Sequence, residues 1–178
     1  VGGRDKHARG KATEAPVSKT LLKQQLAQAI SADLATRERA YRTAREGATD
    51  DEAKPENDKD TRALELSYLA RGEALRVEET RAALGEVLAM PIRDLCDGEP
   101  AAIGALVTTR DETAGEPAKT SLFWIAPHGG GTRLARDAVR VLTPKSPMGT
   151  ALVGKRAGDE CEVILAGKTR VIVIASIR

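Results

Sequence analysis

The chain has 178 residues, with 28 Lys and Arg against 26 Asp and Glu for a net charge of +2, a length that holds one or two small domains. That balance gives no polyanion-binding signature, and Tyr41, Tyr68, Phe123 and Trp124 are the entire aromatic content, so nucleic-acid binding by base stacking on exposed rings is not expected. No apolar run reaches membrane-spanning length and none reads as a signal peptide, so a soluble cytoplasmic protein without a membrane partner is expected.

Residues 1–16 are rich in Gly, Lys and Arg, locally basic from Arg4 to Lys11, and without periodicity; they read as a disordered basic tail. A first helix is predicted from Val17-Ser18, with Ser18 as N-cap. Leu22, Leu26, Ile30 and Leu34 recur every four residues, and Ala29, Ala40, Tyr41 and Ala44 extend the stripe, which fades near Glu46-Gly47. A second helix is predicted from Asp60-Thr61. There Ala63, Ala70, Val77 and Leu84 stand seven apart, with Leu66 and Val87 in the companion positions and Glu73 and Thr80 interrupting that row. Two helices of roughly 28 residues, each about 40 Å long at 1.5 Å per residue, would form an antiparallel hairpin over 17–97. Their outer faces read as charged throughout, which predicts a narrow protruding arm; the other reading of the pattern is a pair of helices within a compact bundle.

Between the helices, Asp50 to Asp60 crowds six carboxylates into eleven residues. Like charges at that density repel and raise one another's pKa values unless a cation or basic partner compensates. Carboxylate oxygens at the end of a rigid arm are hard ligands of the kind Mg²⁺ takes. The arm would carry them to a metal held elsewhere. The plain alternative is a solvated acidic loop, the commoner meaning of a charge run.

From Met90-Pro91 onward the pattern changes. Ile103–Thr109, Ser121–Ala126, Val139–Leu142, Glu160–Leu165 and Arg170–Ile177 read as strands. Glu116-Pro117, Pro127 to Gly131 and Ala166 to Lys168 read as turns, and a short helix is predicted over Met148–Val153. The fold class is α+β: an N-terminal coiled-coil hairpin with its acidic tip near 50–60, then an antiparallel sheet domain over 98–178. Cys96 and Cys161 are far apart without CxxC spacing and read as buried thiols in a reducing compartment, with a disulfide as the other reading. His7 and His128 have no metal-spaced partners, and no nucleophile–base constellation can be built from them. Gly129-Gly130-Gly131 lacks the Lys-Ser/Thr and the helix of a phosphate loop and reads as a wide hairpin turn.

The segment from Thr143 to Glu160 carries Ser146-Pro147-Met148-Gly149-Thr150-Ala151-Leu152-Val153-Gly154-Lys155-Arg156-Ala157-Gly158-Asp159. It resembles the Ser-Pro-x-Gly-x-Ala-Leu-x-Gly-Lys-x-x-Gly-Asp signature of the GreA/GreB transcript-cleavage factors, and Lys54 to Asn57 is similar to that family's Asp-x-Lys-Glu-Asn tip. The resemblance covers most of the chain from residue 17. It implies an FKBP-like sheet domain that docks on bacterial RNA polymerase through Ser146, Pro147 and Met148. It also implies a finger that enters the secondary channel and meets the RNA 3′ end only within that complex. By this resemblance Glu56, Glu52, Asp51 and Asp58 are the tip carboxylates that act in the polymerase active site. Glu52 and Glu56 would be the metal ligands there, sharing the polymerase's Mg²⁺, and the chain alone would need no cofactor. An added carboxylate can retain a weakly bound metal and orient the attacking water.

Three features depart from the family pattern. Pro55 is inserted, so Glu52 or Asp51 takes the place of the family's tip Asp, four or five residues before Glu56. Asn57 is followed by Asp58-Lys59-Asp60 where an aromatic is common. Lys145 stands where an acidic residue often occurs. The expected function is a monomeric accessory factor, not itself an enzyme, that stimulates the polymerase's own cleavage of backtracked RNA. Two other readings stay open: a channel-binding regulator that inhibits or competes without stimulating cleavage, and a coiled-coil interaction module that never enters the channel. Prolyl isomerisation is not expected, since it needs an aromatic-lined pocket. Phe123 and Trp124, adjacent in a strand, face opposite ways, so only one could line such a pocket.

Overall fold

The computed structural model describes residues 17–49, 62–96, 98–113 and 117–178. Two long helices come first, α1 (Lys19–Thr49) and α2 (Arg62–Ala89). The Ser18 hydroxyl accepts from the Leu21 N–H at 3.4 Å, satisfying one of the orphan amides of the first turn. Leu22, Leu26, Ile30 and Ala44 of α1 and Val77 and Val87 of α2 are buried, with Leu66, Ala70 and Leu84 half-buried beside them. The heptad row read from α2 is therefore the contact seam.

On α1 the expected stripe is partly corrected, because Ala29 and Ala40 are exposed. A run of four-residue steps drifts around a helix, whereas a two-helix contact repeats every 3.5 residues. Beyond Leu34 the covered positions are Arg37, Glu38, Tyr41, Ala44 and Gly47, so the middle of the seam is polar. Arg81 reaches across to Glu38 at 2.8 Å and also pairs with Glu78. Glu73, which interrupts the apolar row of α2, keeps only 14% of its side chain exposed and pairs with Arg76 at 2.7 Å.

The outer surface of α2 is not charged throughout. Leu64, Tyr68 and Leu75 are each more than half exposed, and their spacing of four and seven residues sets them on one face.

The rest of the chain forms one six-stranded sheet with strands β1 (Leu106–Asp111), β2 (Lys119–Ile125), β3 (Arg133–Leu134), β4 (Val139–Leu142), β5 (Glu160–Leu165) and β6 (Lys168–Ile177). A single short helix, α3 (Pro147–Leu152), lies between β4 and β5. The spatial order is β3-β4-β2-β1-β6-β5. Strand assignments from the sequence hold to within three residues, and β3 is additional. The sheet is mixed rather than wholly antiparallel, because β2 and β4 run parallel with Phe123 opposite Arg140. Parallel neighbours need a crossover instead of a hairpin, and residues 126–138 supply it. Pro127 to Gly131 is accordingly the start of that crossover and not a hairpin turn.

Alternation along the strands gives the sheet two apolar faces. One carries Val107, Phe123, Ile125, Ile172 and Ile174 beneath Met148 and Leu152 of α3. The other carries Leu106, Trp124, Val139 and Val141 beneath Leu22, Leu26, Ile30, Val87 and Met90 from the base of the hairpin. The hairpin is thereby built into the domain. Residues such as Phe, Leu and Trp removed from water contribute roughly 25 cal/mol per Å² of apolar surface.

Polar groups fix the same junction. Lys19 Nζ donates to the Arg93 carbonyl at 2.7 Å and Lys23 Nζ to the Met90 carbonyl at 2.6 Å, while the Gln25 side chain accepts from the Ala135 N–H at 2.9 Å. Burial lowers the pKa of Lys19, with Asp94 at 3.6 Å opposing that shift. Glu86 of α2 meets His128 at 3.0 Å, and Gly129, at φ +77°, brings its α-carbon so near Leu26 that a Cβ would stand 2.5 Å from Leu26 Cδ1.

Candidate functional site

The tip carboxylates Asp51, Glu52, Glu56 and Asp58 lie outside the described residues, as do Pro55 and Asn57. The structure describes what leads to them. The helices on either side of the acidic run pack against each other and are rooted in the sheet at the start of α1 and the end of α2, so Thr49 and Arg62, the described residues that flank the run, close the helices at the ends away from that root. At 1.5 Å rise per residue, α2 spans about 42 Å.

The second sequence-predicted site, Ser146-Pro147-Met148, is described in full. Ser146 is the N-cap of α3. Its hydroxyl accepts from the Gly149 N–H at 3.1 Å and donates to the Thr143 carbonyl at 2.7 Å. Pro147 occupies the first helical turn, where its missing N–H costs nothing, and its surface is exposed. Gly149 lies against the chain just before the helix, where a Cβ would stand 1.9 Å from the Thr143 carbonyl oxygen. Met148 is buried at 9% exposure and packs into the apolar face beneath α3. Of the three residues, Pro147 presents surface, Ser146 holds the turn together and Met148 anchors it.

The remainder of the signature has equally local reasons. Gly154 and Gly158 have φ of +82° and +92°, conformations that favour glycine. The Gly154 N–H donates to the Ala101 carbonyl, the Ala101 N–H to the Lys155 carbonyl and the Gly158 N–H to the Ile174 carbonyl. The Asp159 carboxylate accepts from the Arg156 N–H at 2.8 Å. This loop stitches the end of α3 to the start of the domain and to β6.

With six residues, α3 covers only one end of its sheet face. Beyond Met148 and Phe123 the same face is open and forms a groove of ≈ 450 Å³. The strand alternation that puts Phe123 here puts Trp124 on the hairpin side, so this face offers a single aromatic ring, as the sequence predicts. Groove polarity comes from Asp111, Lys119, Arg140 and Arg170. Arg170 donates to Asp111 at 2.8 Å, and the Thr113 hydroxyl donates to the other carboxylate oxygen at 2.5 Å. The Thr113 hydrogen bond, with Arg170 alongside, holds the Asp111 carboxyl below its ordinary range.

Cys96 is exposed and Cys161 buried, and neither is disulfide-bonded. The expectation of a buried thiol holds for Cys161 and is corrected for Cys96, which sits in the loop after α2. Burial raises the pKa of Cys161. Among the described residues there is no cluster of three or more His, Cys, Asp or Glu suited to a metal. None of the described helices is long and apolar enough to cross a membrane.

An arm of two packed helices fused to a mixed sheet, with a capped Ser-Pro-Met-Gly turn at its surface, defines an α+β protein of a hairpin-plus-sheet class. Residues 99–178 match the family model for the C-terminal domain of the transcription elongation factors GreA and GreB. That match assigns residues 99–178 to the C-terminal domain of the GreA/GreB family. No curated protein matches its sequence. Among solved structures it is similar to the transcription factor Gfh1, at 21% identity over 88% of this chain and 92% of that one, with a TM-score of 0.38. It is also similar to GreA factor homolog 1 of Thermus thermophilus, at 21% identity over 85% and 94% with a TM-score of 0.34. A third likeness is to a GreA/GreB elongation factor from Nitrosomonas europaea, at 16% identity over 64% and 91% with a TM-score of 0.35.

Proposed function

We propose that this protein is an accessory factor of bacterial RNA polymerase that docks through the sheet domain and inserts its hairpin into the secondary channel. There its tip carboxylates stimulate hydrolysis of backtracked RNA by the polymerase. Family membership of the C-terminal domain supports the partner. The observation that carries the reading is the rooted arm, a hairpin whose base is sealed into the sheet core by Leu22, Leu26, Val87 and Trp124. Such a base fixes the direction in which the arm delivers its end, and orientation of that kind is where a group acting at a distant metal gains its effect.

In this reading Glu56, with Glu52 or Asp51, supplies oxygen ligands to a Mg²⁺ that the polymerase holds through its own groups. Asp58 adds charge beside them. The factor needs no metal of its own and turns over no substrate alone. A chain with a photo-crosslinking residue at Asn57 tests the delivery step. Cross-links to RNA at its 3′ end in a backtracked complex are expected; cross-links confined to the polymerase exterior, or none with the polymerase bound, contradict insertion.

A second reading is favoured by one observation in the sequence. Pro55 lies between Lys54 and Glu56, and proline fixes its own φ and restricts the residue before it. A tip so reshaped that Glu52 and Glu56 cannot meet one cation would occupy the channel without stimulating cleavage, making the protein a competitor of cleavage factors.

A further inference from the structure

We infer that the sheet face at β5 and β6, on the side away from α3, is an internal docking site for the chain's own basic N-terminal segment, residues 4–11. Alternation along β5 turns Cys161 and Val163 into the core beneath α3. Glu160, Glu162 and Ile164 therefore stand on the opposite face, the side on which the hairpin is rooted. Val173, Val171 and Thr169 of β6 lie opposite them. The base of the hairpin packs on β3, β4, β2 and the start of β1, and no residue of β5 or β6 belongs to that core. Ile164 is consequently 70% exposed, with Glu160 and Glu162 exposed beside it and Val171 half-buried. Neither carboxylate makes an ion pair among the described residues. β5 is also the last strand of the sheet, so one of its backbone edges is unpaired.

Where the described chain begins points to the occupant. Val17 lines one hollow with Thr120 and Leu122 and another with Leu106 and Arg178, so residues 1–16 leave from the border of this face. Between Arg4 and Lys11 they carry four Lys or Arg against one Asp. Arg178 pairs with Leu106 at the end of β6. By strand rise and two strand spacings, Glu160 and Glu162 lie about 20–25 Å from that point. At about 3.3 Å per residue, Lys11 reaches about 20 Å from Val17 and Arg9 about 26 Å. Lys and Arg stems suit such a face, since they lie along apolar surface while their charged heads reach the carboxylates at its rim. A second copy fits it less well, because pairing β5 with its own counterpart sets acidic strand against acidic strand.

The test uses the full chain with Cys96→Ser and Ala8→Cys, which leaves buried Cys161 as the other thiol and places a nitroxide on the tail. Amide signals of β5 and β6 are followed by NMR against the same chain with the label reduced. Signals around Ile164 and Thr169 should broaden at low salt and recover in about 1 M salt, where the screening length falls to about 3 Å. They should recover equally when Glu160→Gln and Glu162→Gln are combined. They should stay broadened with Glu79→Gln, an exposed carboxylate on α2. Sharp signals at low salt overturn the inference, as does broadening that persists in either high salt or the double variant. Recovery with Glu79→Gln shows a general charge effect and also overturns it. Broadening of an isotope-labelled chain by a separate nitroxide-bearing chain makes a second copy the occupant and overturns internal docking.

Discussion

Phe123 and Trp124 are neighbours in β2, yet they belong to different cores: Phe123 faces α3 and the groove, while Trp124 faces the base of the hairpin. One strand thus joins the surface proposed to recognise the polymerase to the root of the arm proposed to enter it. Change at either ring is expected to act on a different half of the proposed function.

Trp124 is fully buried, and its indole Nε1 is a buried polar atom with no hydrogen-bond partner among the described residues. Trp124→Ala should cost about 3–5 kcal/mol in denaturant unfolding, from lost burial and the cavity left behind. Trp124→Phe should cost distinctly less, because the phenyl ring refills much of the cavity and the indole N–H it removes has no partner to lose. A Trp124→Phe cost beyond what its smaller volume explains would mean that the indole N–H is satisfied in solution. As the single tryptophan, Trp124 also reports on the junction by fluorescence.

Two glycines should differ in their tolerance of alanine. At Gly149 the new Cβ would meet a backbone carbonyl oxygen at 1.9 Å, which cannot move without unwinding α3, so Gly149→Ala should cost about 3 kcal/mol or more. At Gly129 it would meet the flexible end of Leu26, and the main cost is the left-handed backbone, about 1–2 kcal/mol. Thermal unfolding of the two variants checks the order.

Ser146 and Pro147 should separate stability from docking. Ser146→Ala removes both hydrogen bonds of the cap and should cost about 1 kcal/mol. Pro147 is exposed, so Pro147→Ala should leave the melting temperature nearly unchanged and weaken polymerase binding. A stable Pro147→Ala protein that binds as tightly as wild type would remove this turn from the interface.

Asp111 gives the groove an acid limit. Its carboxyl is held below the ordinary range in the folded chain, first by Thr113 and then by Arg170, so the folded state favours the ionised form. The resulting stability is fully present above the unfolded carboxylate value, about 4, and is lost as pH falls through the folded one. Melting temperatures across that acid range should fall for wild type and fall less for Asp111→Asn, which should be the less stable protein at neutral pH. Parallel curves would show that Asp111 is not the titrating group.

Much of this was legible in the sequence because it depends on local spacing. The seven-residue row of α2, the alternation of β4 and β5 and the Ser-Pro-x-Gly cap each carry their own signal. What was missed depends on partners distant in sequence. The parallel pairing of β2 with β4 follows from a crossover that no local pattern announces. Lys19 and Lys23 look like ordinary surface lysines until the chain after α2 brings the carbonyls of Arg93 and Met90 to them. The basic groove was illegible for the same reason: Lys119, Arg140 and Arg170 lie on three different strands. Ala29 and Ala40 were misplaced because a four-residue repeat and a 3.5-residue seam diverge along a long helix.

The most direct measurement is RNA cleavage in a defined backtracked elongation complex with Mg²⁺, comparing wild type with Glu56→Ala while binding is followed in parallel. Wild type should accelerate cleavage, and Glu56→Ala should bind equally but lose the acceleration by on the order of 10²-fold, the scale on which one preorganised charged group acts. Binding by wild type with cleavage unchanged or slowed would contradict a cleavage factor and leave a channel-binding competitor in its place.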